Sequence, residues 1–247
     1  MPSGDATDRG TDEGTGMNFK WFGPLALLAA LVIGDQVRIN RPGHKYRLAV
    51  TVETPEGSKS GSGVFAVHPD RGYSQGGHTR TKGDAIFVDL GGGKNLVVLL
   101  AHLDPSLDLD GMNYLALRAY NAARSPRVSF SAMSGLTGAV PVQGALVPVL
   151  VSFVDVNDPA SARRVMPDDA EAVLGPGFHL GPISVEVVPN GFWPLDFGGR
   201  LGEPVTRGIV ARLPWLKGSD DAAATALKAA GLQAAAPIDA KQAFTRN

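Results

Sequence analysis

The clearest pattern in the chain is a strict alternation from Lys45 to Thr54. Tyr46, Leu48, Val50 and Val52 face one way, and Arg47, Thr51 and Glu53 face the other. A period of two puts the apolar set on one face of a half-buried strand. Pro55-Glu56-Gly57 turns the chain, and Ser58 to Val67 returns it as the second strand of a hairpin. In that return, the small residues Ser60, Gly61, Ser62 and Gly63 predict a bulge or a close backbone approach. Asp70 to Gly83 reads as a polar loop rich in Gly and Arg. A second hairpin follows: Asp84–Leu90, a GGGK turn, and Asn95–His102, whose run Leu96–Leu100 is apolar on both faces.

Helical signals are shorter. Met112, Leu115, Ala119 and Ala122 recur at helical spacing between Met112 and Arg124. Ala145–Val154 is the most apolar strand candidate, central in a sheet apart from Pro148. Asp158 is placed to cap a helix opened by Pro159. Pro167 opens another, with Asp168, Asp169 and Glu171 in its first turn and Gly175 as its stop. Pro182–Val188 alternates again as a strand. Glu203-Pro204 is expected to start a third short helix towards Arg212, with Trp215 then packing onto the sheet. Ser219 caps an alanine-rich helix, Asp220–Ala230, ended by Gly231, and the last residues are expected to fray. The sum is an α+β fold: mainly antiparallel sheet of hairpins, with a few short helices late in the chain.

A different pattern precedes this domain. Residues 1–16 carry several acids and read as a disordered extension, with Met17 an alternative start. From Met17 the order is Lys20, then the uncharged stretch WFGPLALLAALVIG (Trp21–Gly34), then Asp35. That is the layout of a signal peptide or membrane anchor. Fourteen residues of helix span about 21 Å, against the ~30 Å of a hydrocarbon core. Length therefore favours a signal peptide, while Trp21, Phe22 and Lys20 suit the interface of a tilted anchor. No clear A-x-A cleavage site follows, so a cleaved signal and an uncleaved anchor stay equally open, with a buried soluble helix as the third reading. Sidedness is contested. Arg9 and Lys20 lie before the segment, whereas Arg38, Arg41, Lys45 and Arg47 follow it, which taken literally keeps the domain cytoplasmic. A start at Met17 gives the usual export layout, and the periplasmic side is the favoured expectation. The expected organisation is an extension at 1–16, a signal or anchor at 17–36, one β-rich domain at 45–217, and an alanine-rich helix with a flexible tail at 218–247.

Composition changes this picture little. The 247 residues include 31 glycines and 18 prolines, well above ordinary usage and in keeping with many turns. A net charge of −1 offers no basic face for nucleic acid. Cysteine is absent, which removes disulfides, thiolate nucleophiles and cysteine-ligated zinc.

Several segments together carry a resemblance: RLAVTVETPEGSKSGSGV (47–64), GDAIFVDLGGGKNLVVLLA (83–101), VSFVDVNDPASARRVMPDD (151–169), LGPGFHL (174–180) and PVTRGIVARLPWL (204–216). The ordered set resembles a group of uncharacterised proteobacterial proteins with an N-terminal hydrophobic segment. The resemblance covers most of residues 20–216 and implies a bacterial, membrane-associated protein, with no activity attached. Met166 stands before Pro167 where the group's pattern offers an N-capping acid, and GRLGE precedes Pro204 where consecutive aspartates are usual. The alanine-rich tail lies outside it.

Candidate chemistry is sparse. The histidines His44, His68, His78, His102 and His179 form no H-x-x-x-H or H-E-x-x-H pair. His102 with Asp104 would make a base and its orienter, against the favoured reading of a surface loop pair. Asp155, Asp158, Asp168 and Asp169 would offer oxygen ligands, but capping already accounts for three of them and calcium-loop spacing is missing. Gly91–Lys94 lacks the Ser/Thr and helix of a phosphate loop and reads as a turn. Ser60 and Ser62 lie within a strand, without a nucleophile elbow. Arg71, His78, Arg80 and Lys82 form a basic loop that would meet anionic head groups or glycans, with a solvated loop favoured. No residue is assigned as catalytic, cofactor-binding or metal-ligating. The expected partner is a lipid bilayer, through residues 21–34. The leading functional expectation is a membrane-anchored or exported structural or binding module, meeting a protein through an apolar patch near Trp193 or Trp215. A periplasmic hydrolase using a His/Asp pair and a cytoplasm-facing tethered domain are the alternatives.

Overall fold

The computed structural model describes residues 22–70, 78–104, 106–191, 202–218, 220–234 and 237–247. The expected extension at 1–16, Lys20, Trp21, Arg71, Trp193 and Ser219 lie outside them. The chain divides into two units, residues 1–38 and 39–247. The first holds most of helix α1 (Phe22–Asn40), longer than the apolar stretch because it runs on through Asp35. Its Leu25, Leu27, Leu28, Leu31, Val32 and Ile33 are each more than half exposed. Among the described residues no helix is long and apolar enough to cross a membrane.

The second unit begins with β1 (His44–Thr54) and β2 (Gly57–His68), followed by β3 (Arg80–Asp84), β4 (Ile86–Gly91) and β5 (Lys94–Val98). A short hairpin, β6 (His102–Asp104) and β7 (Ser106–Asp108), leads into helix α2 (Gly111–Ala123). Then come β8 (Val140–Pro141), β9 (Leu150–Phe153), β10 (Ala162–Val165), α3 (Glu171–Leu174) and β11 (His179–Val188). The chain closes with α4 (Ile209–Arg212), α5 (Asp220–Ala229), α6 (Pro237–Gln242) and β12 (Thr245–Arg246). The fold is α+β, mixed helix and antiparallel sheet. One six-stranded sheet runs β12-β3-β2-β1-β11-β8, and a four-stranded sheet runs β10-β9-β5-β4.

The sequence pattern explains the layering. Tyr46, Leu48, Val50 and Val52 are fully buried and share one core with Leu96, Val98 and Leu100 of the β5 segment. The intervening Val97, Leu99 and Ala101 point into a second core, with Leu213, Leu216, Leu227 and Phe244. An apolar run buried on both faces is what a sheet between two layers requires. The four-stranded sheet therefore packs on the larger sheet with one face and under the C-terminal helices with the other. Each of these Val, Leu and Phe side chains contributes about 1.5–3 kcal/mol by leaving water.

Gly61 and Gly63 mark the first contact between the sheets. The β1–β2 register runs unbroken from His44↔Val67 to Thr54↔Gly57, so that pairing has no bulge. The glycines serve close approach instead. A Cβ on Gly61 would lie 2.7 Å from Val88 Cγ2, and one on Gly63 would lie 2.8 Å from Ile86 Cγ1.

Several boundaries differ from the sequence expectation. Arg80–Gly83 belong to β3 rather than to a loop, because Arg80, Thr81 and Lys82 pair with His68, Val67 and Ala66 of β2 and Gly83 pairs with Arg246. Pro148 keeps the strand from starting at Ala145, and β9 begins at Leu150, in the middle of its sheet. Ala122 faces solvent, while Met112, Leu115 and Ala119 are buried as the spacing predicts. Asp158 does cap, accepting from Ala160 N at 2.8 Å, but the turn is a 3-10 helix of three residues. The helix expected at Pro167 begins at Glu171, with Met166 and Asp169 bridged ahead of it. Residues 203–207 are not helical, since Thr206 exchanges hydrogen bonds with Val64 and Glu203 holds Arg47. The C-terminal residues are not frayed. Ala240, Ala243 and Phe244 are buried, and Thr245 and Arg246 pair with Asp84 and Gly83.

Candidate functional site

Adding β12 to the edge of β3 creates an open cavity of about 660 Å³. Arg80 and Thr81 of β3 form one wall, Asp110 and Asn113 at the start of α2 another, and Lys241, Thr245 and Arg246 a third. The mouth also carries His78, Asp220 and Asn247.

The α2 wall is held by a chain of polar contacts. Asp108 Oδ1 accepts from Asp110 N at 2.8 Å and Gly111 N at 3.2 Å, which sets the first turn. Asn113 is buried and its amide is committed on both sides. Thr81 Oγ1 donates to Asn113 Oδ1 at 2.8 Å, and Asn113 Nδ2 donates to Asp110 Oδ1 at 3.1 Å. A satisfied buried amide is stiff. It fixes the Asp110 carboxylate at the edge of the cavity.

Arg246 is the least ordinary group in the site. Its Nε donates to Gln242 O at 3.0 Å, and its Nη2 donates to Leu109 O at 2.7 Å and to Leu100 O. All three acceptors are neutral carbonyls, and no carboxylate of the described residues forms an ion pair with it. Burial pulls the guanidinium pKa down from its ordinary value, opposed through space by Tyr46, Asp110 and Asp108. Arg207 Nη1 donates to Arg246 O at 2.7 Å and reaches Asp84 Oδ1 at 3.3 Å, tying the strand end in place. By contrast Lys241 and Asp220 form their own pair, 3.6 Å apart.

Of the sequence candidates among the described residues, only His78 and Arg80 line this cavity. Lys82 pairs with Ala66 inside the sheet. His102 is buried, its cross-strand partner is Asp108, and the side chain of Asp104 lies outside what the structure describes. Its Nε2 donates to Leu146 O at 2.9 Å, which leaves Nδ1 unprotonated and without a partner. Burial lowers the His102 pKa below the usual 6.5, with Asp108 opposing. A Cβ on Gly111 would come within 2.5 Å of His102 Nδ1 and 2.9 Å of Asp108 Oδ2, so the imidazole is sealed by the start of α2. It is packing, not a base in a cleft. His179 is exposed, 3.6 Å from Glu171 Oε1. His44 is fully buried beside Phe130, with neither ring nitrogen bonded.

Asp155 Oδ1 accepts from Asn157, Asp158 caps its turn, and Asp169 accepts from Ala172 N at 3.3 Å. These acids serve local turns. Gly91, Gly92 and Gly93 all have positive φ, the geometry of a hairpin turn. Ser60 and Ser62 sit mid-strand in β2. Trp215 is half-buried: it packs on Phe153 and Phe244 at 5.7 and 5.3 Å, and its Nε1 donates to Val156 O at 3.0 Å. Leu103, Tyr114, Val154 and Met166 are the other exposed large apolar residues described outside α1.

Sequence reasoning missed Asn113, Asp110, Lys241 and Arg246. Nothing in a lone arginine next to the last residue signals that its strand joins a sheet edge 160 residues earlier. No protein-family model matches the chain, and neither curated proteins nor solved structures give a match.

Proposed function

We propose that the residue 39–247 unit is a binding module for a small polar solute, taken into the cavity between β3, α2 and β12. The observation that carries this is Arg246, a cation bonded only to neutral carbonyls on the wall of a cavity of about 660 Å³. Such a volume lies within the range of ligand pockets, and a few fixed polar groups are what such pockets use for orientation.

In the same reading, the uncharged segment up to Gly34 brings the module to a bacterial membrane, as a signal or anchor, with the domain on the periplasmic side. The supporting feature is the exposure of Leu25, Leu27, Leu28, Leu31, Val32 and Ile33. Cell fractionation with mass determination of the mature N-terminus tests placement; a soluble cytosolic protein with an intact N-terminus overturns it. Solute binding is tested by side-chain NMR of the full chain in detergent, titrated with neutral, anionic, cationic and zwitterionic small molecules. Shifts of the Arg246 and Asn113 side-chain resonances with at least one class are expected. Silence from every class up to high millimolar concentration overturns the binding reading.

A further inference from the structure

A guanidinium has five N–H groups. In Arg246 the Nε proton goes to Gln242 O, and Nη2 faces two acceptors, Leu100 O and Leu109 O. The two N–H groups of Nη1 meet no partner among the described residues. A guanidinium is suited to recognising the oxygens of a carboxylate or phosphate, so an anionic oxygen is the fitting occupant.

A simple anion does not complete the site. Asp110 lines the same cavity, with Oδ1 on Asn113 Nδ2 and Oδ2 without a hydrogen-bond partner. It stabilises the Arg246 charge through space, yet no ion-pair contact joins the two. Lys241 and Asp220 largely neutralise each other at the mouth. Three charges thus remain facing one cavity, the cations of Arg246 and Arg80 and the carboxylate of Asp110. An anion alone would meet repulsion from Asp110, and a cation alone would meet Arg246. Complementary potential selects a ligand carrying both signs.

We propose that the solute is a small zwitterion of the amino-acid class, its carboxylate held by Arg246 Nη1 and its ammonium by Asp110. This rests on reading the cavity as the ligand site. The volume admits an amino acid or a dipeptide, and Arg80 at the edge suits an added acidic side chain.

The test is calorimetry on the full chain in detergent micelles with alanine and alanyl-alanine. N-acetylalanine lacks the ammonium, alaninamide lacks the carboxylate, and acetate and methylamine carry one charge each. The expected result is binding of at least one zwitterion, with every single-charge analogue at least tenfold weaker. Arg246→Gln and Asp110→Asn should each weaken the zwitterion at least tenfold, and Asp110→Asn should bring N-acetylalanine level with alanine. Asp110 is exposed, so its variant keeps the test decisive if Arg246→Gln fails to fold. N-acetylalanine binding as tightly as alanine, with Asp110→Asn indifferent, overturns the zwitterion while leaving the cavity a ligand site. Binding of no compound, with Arg246 resonances unmoved, overturns both.

Discussion

Thr245 Oγ1 donates to Asp84 Oδ1 at 2.7 Å, joining the end of the chain to the end of β3 across 161 residues. The same buried carboxylate accepts from Gly208 N at 2.7 Å and Ile209 N at 3.2 Å, and meets Arg207 Nη1 at 3.3 Å. Asp84 is therefore the knot that holds α4, β12 and β3 together, and with them one wall of the cavity. Asp84→Ala strands two backbone donors and the Thr245 hydroxyl, and should cost about 3–5 kcal/mol. Asp84→Asn keeps one acceptor and should cost less. Urea denaturation of the two variants checks the order; a cost below about 1 kcal/mol for Asp84→Ala would remove Asp84 from this role.

The glycines at the sheet contact predict a different kind of damage. Gly61→Ala and Gly63→Ala each insert a methyl into space held by Val88 or Ile86, at 2.7 and 2.8 Å. Overpacking of this kind costs about 1–3 kcal/mol. Because the clash at Gly61 is with a side chain, Gly61→Ala combined with Val88→Ala should recover part of the loss. The double-mutant cycle reads this directly, and strict additivity of the two costs would place the glycine's role elsewhere.

The core strands were legible because their burial shows as periodicity. Tyr46 to Val52 alternate and bury one face; Leu96 to Leu100 do not alternate, and bury two. The α+β class follows from those segments. The tail was not legible, since Ala240, Ala243 and Phe244 are too few and too scattered among polar residues to announce a core contact. Residues 203–207 misled for a related reason: Glu-Pro is a good helix start, but tertiary bonds to Val64 and Arg47 hold the segment in another conformation. The site was the least visible part. Arg80 and His78 belonged to a recognised basic stretch, whereas Asn113 looks like an ordinary helix residue and Arg246 like a loose end.

A truncation tests the tail. Removing residues 244–247 deletes a buried Phe244, the β12 pairing and every Arg246 bond. Loss of a buried Phe side chain alone costs about 3–5 kcal/mol. The shortened protein should melt far below the full chain or fail to accumulate folded, and should expose Trp215, whose ring packs edge-on against Phe244. A truncation with unchanged melting and an unshifted tryptophan emission would return the tail to the status of a loose end.

His44 predicts how the fold responds to acid. Burial beside Phe130 lowers its pKa from the usual 6.5 to about 4, and neither ring nitrogen has a partner that would favour the charged form. Between pH 6.5 and 4 the unfolded chain binds a proton at this residue that the folded chain refuses. Stability from this source is therefore complete above pH 6.5, falls as pH drops through the window, and levels off below pH 4. The full loss is about 3 kcal/mol. His102, shifted the same way by burial, adds to the slope. His44→Phe removes no hydrogen bond, so it should be near neutral or stabilising at pH 7 and should flatten the acid limb. Denaturation midpoints of both proteins from pH 7 to 4 provide the comparison. An unchanged slope, or an NMR titration of His44 centred near 6.5, would show that the imidazole is not sealed in the core.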